Sequence, residues 1–176
     1  MHPAVEPISF LIGTWKSISA KGIYPTINDF SYSEELIYES IGQPVLNYKS
    51  VSRLGKYRLE QFNELNLLSY LSSYVGDRPA HLESGFLRIV PGTNKISTLG
   101  AHNFGITVIS EGTFEDKTLS LQSTEISRMS SAKEPKVVKI MTTIKLIGEG
   151  KLEILTDMAT DNTGLTNHLH VIYKKQ

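Results

Sequence analysis

The chain has 176 residues, of which 40% are hydrophobic and 20% charged, and its basic and acidic residues are equal in number at 18 each. This length and composition predict one folded domain, and a neutral chain without a basic cluster gives no reason to expect nucleic acid or a membrane as a partner. The absence of cysteine excludes disulfides, cysteine nucleophiles, zinc ribbons and iron–sulfur clusters, and it fits a reducing, cytoplasmic location. Neither an apolar run long enough for a membrane helix nor a signal-peptide pattern is visible.

The N-terminal stretch AVEPISFLIG, residues 4–13, predicts a short helical turn before the first strand. It leads into Gly13 and Trp15, the only tryptophan of the chain. A glycine two residues before a tryptophan, early in an all-β chain, is typical of the first strand of the lipocalin and fatty-acid-binding-protein superfamily. There the tryptophan plugs the closed end of a barrel and the glycine permits close backbone approach. We therefore expect Trp15 to be a core residue.

Turn signals divide the rest of the chain into segments of about eight to twelve residues that are rich in β-branched and aromatic side chains. Closely spaced strands of this kind predict an antiparallel all-β barrel or sandwich. No long helical stretch competes, and closure into a barrel is favoured because it removes exposed edges. The turn signals are IGQP (41–44), VGDRP (75–79), PGTNK (91–95), HNFG (102–105), FEDK (114–117), AKEP (132–135), GEGK (148–151) and DNTG (161–164).

Alternation of apolar and polar residues supports the strands. In the segment 118–126, every second residue from Leu119 to Glu125 is predicted to share one face. In the segment 136–148, the even-numbered residues from Val138 to Leu146 are predicted to share one face. In each of these strands, one face is therefore predicted to line the barrel interior and the other to face solvent.

One region looks like an addition to the barrel. Residues 46–60 read like residues 68–83, which suggests a duplicated β-hairpin, whereas apolar residues at every third position from Leu59 to Leu71 favour a helix instead. Both interpretations stay open. We expect a single domain over residues 1–176 with an atypical inserted segment near 49–75.

Two short motifs carry polar groups that a barrel strand does not need. Pro25 makes a stiff corner in Tyr-Pro-Thr and presents the Thr26 hydroxyl, although a turn with a satisfied threonine is the alternative. In the final strand, His168 and His170 share one face of a regular strand and Leu169 shares the other with later apolar residues. If that apolar face fills the barrel, His168 points outward unless the strand has a bulge or begins after it.

Two other histidines lie in or beside turn signals. His81 follows VGDRP and His102 begins HNFG, so both are predicted to be solvated. His168 and His170 could instead be exposed side chains with ordinary hydrogen bonds and no role in a binding site.

Taken together, the ordered motifs resemble the nitrobindins, haem-binding β-barrels that include the C-terminal domain of animal THAP-type zinc-finger proteins. The resemblance runs from about residue 6 to the end and is interrupted near residues 49–75. The chain departs from many members after its first motif, where KSISAKG keeps only one glycine, Gly22. The motifs are G-T-W, Y-P-T, G-Q-P-x-L-N, x-E-x-G-F-x-R, A-K-E-P, M-A-T and the terminal H-L-H-V-x-Y-K-K.

The resemblance implies an antiparallel up-and-down barrel of about ten strands, lipocalin-like in outline, that binds haem b at its open end. It makes His168 the axial ligand of the haem iron and places Thr26 against the haem, while His170 has a supporting or surface role. No catalytic residue beyond the haem iron is implied. The implied activities are nitric oxide binding and isomerisation of peroxynitrite to nitrate. Neutral imidazole suits this role, because one histidine leaves the sixth position of the iron open.

Two other functions stay open. A non-enzymatic carrier of fatty acid or another small apolar ligand usually needs inward arginine or tyrosine side chains to pair the carboxylate. Arg88 and Arg128 are candidates, with a surface position as the alternative for each. An interaction domain would keep the barrel and lose the ligand site. The oligomeric state is open as well, with a homodimer as one candidate.

Overall fold

The computed structural model describes residues 1–54 and 79–176. In these ranges, eleven antiparallel strands form one sheet that closes on itself, because the last strand pairs with the first. The strands are β1 (Gly13–Tyr24), β2 (Ile27–Ser31), β3 (Ser33–Ser40), β4 (Val45–Arg53), β5 (Pro79–Ile89), β6 (Lys95–His102), β7 (Ile106–Glu115), β8 (Thr118–Arg128), β9 (Val137–Gly148), β10 (Lys151–Thr160) and β11 (Thr163–Lys175).

Strands β2 and β3 share one position in the barrel wall. Strand β3 pairs with the start of β1, with Trp15 opposite Leu36, and β2 pairs with the end of β1, with Lys21 opposite Ser31. Only Tyr32 separates the two strands. The wall formed by the described strands therefore has ten positions, and the prediction of an antiparallel barrel of about ten strands is confirmed.

A short helix closes one end of the barrel. The 3-10 helix Pro3–Leu11 starts at His2, whose side chain accepts a hydrogen bond from the backbone N–H of Ala4. It buries Val5, Ile8 and Leu11 completely. Trp15 is fully buried against it, as predicted, and its indole N–H donates to the Leu11 carbonyl oxygen at 2.7 Å. Within the described residues, no helix has the length and apolar character needed to cross a membrane.

The turn chemistry matches the strand connections. The FEDK signal joins β7 to β8 with Asp116 and Lys117 at φ values of 45° and 60°, as a tight hairpin turn requires. The other described signals span the connections between strands, and some of their end residues, such as His102, belong to the adjoining strands. Most of VGDRP falls outside the described residues, and its Pro79 begins β5. Local turn residues thus set where the chain reverses.

Bulges near the open end change which side chains face inward. In β8, Ile109 lies opposite Glu125 and Ser110 opposite Ser123, so Thr124 is an extra residue. The prediction that Glu125 shares a face with Leu119 is therefore wrong, and Glu125 is exposed. In β9 the register shifts at Val138, which is 52% exposed, whereas the even-numbered residues from Ile140 to Leu146 pack inward as predicted.

Part of the predicted inserted segment belongs to the barrel. Residues Lys49 to Arg53 continue β4 and pair with both β3 and β5. Residues 55–75 of that segment lie outside the described residues, and so does the whole helical alternative from Leu59 to Leu71. Of the predicted duplicated hairpin only the outer ends are described, where residues 46–53 belong to β4 and residues 79–83 to β5.

Candidate functional site

A cavity of about 400 Å³ occupies the open half of the barrel. Its walls are mostly aliphatic and aromatic, with contributions from Leu121, Ile140, Ile144 and Val171. Among the described residues that line it there is no lysine or arginine. The charged or chargeable groups in the wall are instead carboxyls, imidazoles and tyrosine hydroxyls, so this cavity is suited to an apolar molecule, a metal or a cationic group.

A bulge in β11 turns His168 into the cavity. Thr156 lies opposite Leu169 and Asp157 opposite Asn167, so His168 has no partner residue in β10. His168 and Leu169 both line the cavity as a result. Strict alternation would have sent one of them outward. Of the two ways in which His168 was expected to face inward, the bulge is therefore the one that the structure contains.

The imidazole of His168 is oriented by the end of β1. Its Nδ1 lies 3.3 Å from the carbonyl oxygen of Ile23. A carbonyl only accepts, so Nδ1 carries the proton and Nε2 keeps its lone pair. The Tyr24 ring packs edge-on against the imidazole at 5.2 Å, and its hydroxyl lies 3.3 Å from Thr160 Oγ1. The acceptor that a ligating histidine needs for its second nitrogen is thus the backbone of Ile23.

Burial keeps His168 neutral. Desolvation lowers the pKa of the His168 imidazole, and the hydrogen bond to the Ile23 carbonyl opposes that shift only in part. The neutral form is the one that binds a metal through Nε2. His168 therefore presents an unprotonated nitrogen to an apolar cavity.

Thr26, the second predicted site residue, and His170 both lie outside the cavity wall. Thr26 is exposed in the turn between β1 and β2, two residues beyond Tyr24. It is near the residues that hold His168, and its contact with a bound molecule stays a prediction. His170 lies on the outer surface, where its Nε2 is 2.9 Å from Glu153 Oε1, which corresponds to the surface role considered for it.

The prediction that His81 and His102 are solvated is wrong. Both line the cavity, with His81 Nε2 2.8 Å from His102 Nδ1 and their ring planes within 5° of parallel. Burial lowers the pKa of each imidazole to about 4, and for His81 the neighbouring His102 adds to the shift. Phe104 covers both rings at 4.9 and 5.3 Å. The turn signals beside these residues concealed that both side chains face inward, His81 near the start of β5 and His102 at the end of β6.

Two partly buried carboxyl groups, which no sequence pattern predicted, add polar atoms to one side of the cavity wall. Ser50 donates to Glu34, and the Tyr48 hydroxyl donates to Glu83 Oε1 at 2.5 Å. Burial raises the pKa of both carboxyl groups, although hydrogen bonds from Ser50 and Tyr48 oppose the shift. Both glutamates occupy inward-facing positions in the regular alternation of their strands, but alternation alone does not show that a carboxyl group is buried.

The raised pKa of Glu34 predicts a contribution to stability that falls with increasing pH. The folded protein holds this proton more tightly than the unfolded chain, so the contribution of Glu34 to the free energy of unfolding decreases as pH rises from the ordinary value of 4.5 towards the folded pKa. In Glu34→Gln that contribution is removed, so the variant should lose less stability, or gain more, than the native protein over this range, while the opposite contributions of His81 and His102 are common to both. Urea denaturation at a series of pH values measures the free energy of unfolding of both proteins. The same dependence on pH in the variant as in the native protein would contradict the burial of the Glu34 carboxyl group.

The arginines considered for a carrier do not face the cavity. Arg88 is exposed on the outer surface of β5. Arg128 donates from Nη2 to the Ala132 carbonyl oxygen at 2.6 Å and to Glu134 at 3.1 Å, in the connection to β9. Among its described residues, the cavity wall therefore offers a fatty-acid carboxylate no arginine, but it does contain the side chains of Tyr32, Tyr38, Tyr48 and Tyr173.

Comparison with known proteins agrees with this geometry. The family described as "THAP4-like, heme-binding beta-barrel domain" matches residues 4–175. The chain is 39% identical over 177 residues to "Peroxynitrite isomerase THAP4" of Homo sapiens, covering 99% of this chain and 27% of that protein. It therefore spans about a quarter of that relative.

Shorter relatives match over most of their length. "Peroxynitrite isomerase" of Nocardia farcinica is 32% identical over 173 residues, which cover 96% of this chain and 89% of that protein. The crystal structure of Rv2717c from M. tuberculosis superposes with a TM-score of 0.79 at 26% identity, over 100% of this chain and 99% of that one. The chain thus belongs to the family of THAP4-like, haem-binding β-barrel domains.

Proposed function

We propose that this barrel binds haem b through His168, that the ferrous form binds nitric oxide and that the ferric form isomerises peroxynitrite to nitrate. The observation that carries the proposal is the β11 bulge, which points the neutral His168 imidazole into an apolar cavity. The donor set fits haem, because a single neutral imidazole with a fixed tautomer is an established axial ligand. The names of the relatives in bacteria and animals support the activity.

The residues of the chain have distinct tasks in this proposal. The Ile23 carbonyl holds the Nδ1 proton of His168, so that Nε2 faces the cavity. Tyr24 limits rotation of the imidazole. Aliphatic walls exclude water and polar competitors, and Thr26 would help to hold the haem from its turn between β1 and β2. Bound haem would supply an iron with one open position for a small ligand.

No proton donor is required for the proposed reaction. Peroxynitrite and nitrate have the same atoms and charge, so the isomerisation consumes neither an oxidant nor a proton. This agrees with a cavity whose described imidazoles, at His81, His102 and His168, are all neutral at pH 7 because burial lowers the pKa of each. The protein contributes orientation, access and an environment of low polarity.

The proposal is tested by loading the protein with haemin and following peroxynitrite decay by stopped-flow absorbance. We expect decay to accelerate in proportion to the loaded protein, with nitrate as the product. The matched control is His170→Ala, which removes an imidazole from the outer surface and should leave the rate unchanged. Decay no faster than with haem-free protein, or nitrite as the main product, would contradict the proposed function.

A further inference from the structure

A second group of metal-binding side chains lies in the cavity wall. His81, Glu83 and His102 each offer one ligand atom, and these atoms all lie within 4.8 Å of one another. His81 Nε2 is 2.8 Å from His102 Nδ1, which is 3.8 Å from Glu83 Oε2. The three residues are partly buried, and the His102 side chain is 9% exposed.

Regular strand geometry brings these groups together. His81 and Glu83 are two residues apart on β5 and therefore share its inner face. Glu83 lies directly opposite His102 in the pairing of β5 with β6. The strand ends are fastened by Asn103, whose side-chain oxygen accepts from the Leu82 N–H at 2.9 Å and whose N–H donates to the Leu82 carbonyl at 3.0 Å. The arrangement is thus preformed by paired strands.

Neighbouring residues orient the carboxylate. Tyr48 holds Glu83 Oε1, which leaves Oε2 directed towards His102. Gly100 makes room for this contact, since a Cβ there would lie 2.4 Å from the Tyr48 hydroxyl and 2.6 Å from Glu83 Oε1. A hydrogen-bonded ligand supported in this way is typical of protein metal sites.

The charge balance of the cavity favours a cation. Glu34 and Glu83 are both partly buried in the cavity wall, and no lysine or arginine lines the cavity among the described residues. Removing a carboxylate from water without a positively charged partner is costly. A divalent ion beside Glu83 would supply the positive charge that the described wall lacks.

We propose that His81, Glu83 and His102 form a binding site for a divalent first-row transition metal ion, separate from His168. Two imidazoles and one carboxylate suit zinc, iron, cobalt or copper, whereas magnesium and calcium prefer oxygen ligands only. Nitrogen ligands of a tetrahedral ion with bonds of about 2.0 Å lie roughly 3.3 Å apart. The two imidazoles therefore need to separate by about half an ångström, which exchanges their mutual hydrogen bond for two bonds to the metal.

The site is tested with cobalt(II) chloride added to haem-free protein, followed by visible absorbance and calorimetry. We expect one saturable cobalt ion per chain with the absorption of a low-coordinate site. Glu83→Gln and His102→Gln, which keep the side-chain shape approximately, should weaken binding by about a hundredfold or more, because losing a ligand costs more than losing a residue that supports one. Tyr48→Phe should weaken it by about ten- to a hundredfold, because it removes only the support of Glu83.

Two histidine variants are the matched controls. His168→Ala removes the other cavity imidazole, and His170→Ala removes an imidazole that contacts a carboxylate on the outer surface. Both should bind cobalt as the native protein does, with circular dichroism confirming that every variant is folded. Absence of saturable binding, retention of binding in Glu83→Gln and His102→Gln, or loss of binding in either control would overturn the proposal. None of these outcomes depends on haem binding, so the proposed function is tested separately.

Discussion

Replacing His168 with alanine should lower the affinity for haemin by about a hundredfold or more, equivalent to at least about 2.8 kcal/mol. The substitution removes the one imidazole whose Nδ1 is held by the Ile23 carbonyl and whose Nε2 remains available to the cavity. What remains is apolar contact with the walls, which is non-directional and binds the macrocycle without fixing the iron. Titration with haemin, followed by absorbance in the Soret region, measures the affinity and the ligation together.

The identity of the lost ligand is checked by two companion titrations. His170→Ala should give the native spectrum, because its imidazole is bound to Glu153 on the outer surface. Adding free imidazole to His168→Ala should restore a histidine-like spectrum if the cavity is otherwise intact. A native spectrum in His168→Ala would mean that another residue ligates the iron, and His81 would be the first residue to replace next.

Replacing Trp15 with alanine should lower the free energy of unfolding by about 4 kcal/mol. Trp15 has no exposed surface and packs against the N-terminal helix at the closed end of the barrel. Its truncation leaves a large void and removes the donor of the 2.7 Å hydrogen bond to the Leu11 carbonyl. It also removes the ring beneath the Lys175 ammonium, which lies 5.1 Å from the ring centroid. Urea denaturation followed by circular dichroism measures the change.

Phe86→Ala is the matched control for the loss of a large aromatic side chain. Phe86 is 48% exposed on the outer face of β5, so its removal should change the free energy of unfolding by about 1 kcal/mol or less. If both variants lost the same free energy of unfolding, the burial of Trp15 at the closed end would not explain its contribution to stability. A folded Trp15→Ala protein should still bind haemin at low temperature, because Trp15 is not among the residues that line the cavity.

The all-β architecture could be predicted because its signals are local. Turn residues at positions such as Asp116 and Lys117 act within a few residues of themselves, and strand alternation has a period of two wherever one face is buried. Closure of the barrel followed from the cost of exposed edges. The ordered motifs likewise pointed to His168, because a family resemblance does not require knowledge of where the side chain points.

Some details of the site were within reach of sequence reasoning. The PGTNK turn joins β5 to β6, and Ile89 lies opposite Ile96 next to it. Counting six pairs back along this hairpin brings Glu83 opposite His102, and period-two spacing adds His81. The prediction of solvated histidines failed because nearness to a turn was taken as exposure, whereas both side chains line the cavity.

By itself the sequence determined the class of fold, the strand connections and the family, because these depend on short-range turn chemistry, alternation and motif order. The tertiary structure alone decided that His168 faces inward and that Glu125 does not, since each depends on one extra residue in a strand. A bulge is defined by two strands together, and a shift of one residue exchanges the two faces. The burial of Glu34 and Glu83 was likewise decided by the closed wall around them, which brings Ser50 and Tyr48 to carboxyls that would otherwise be solvated.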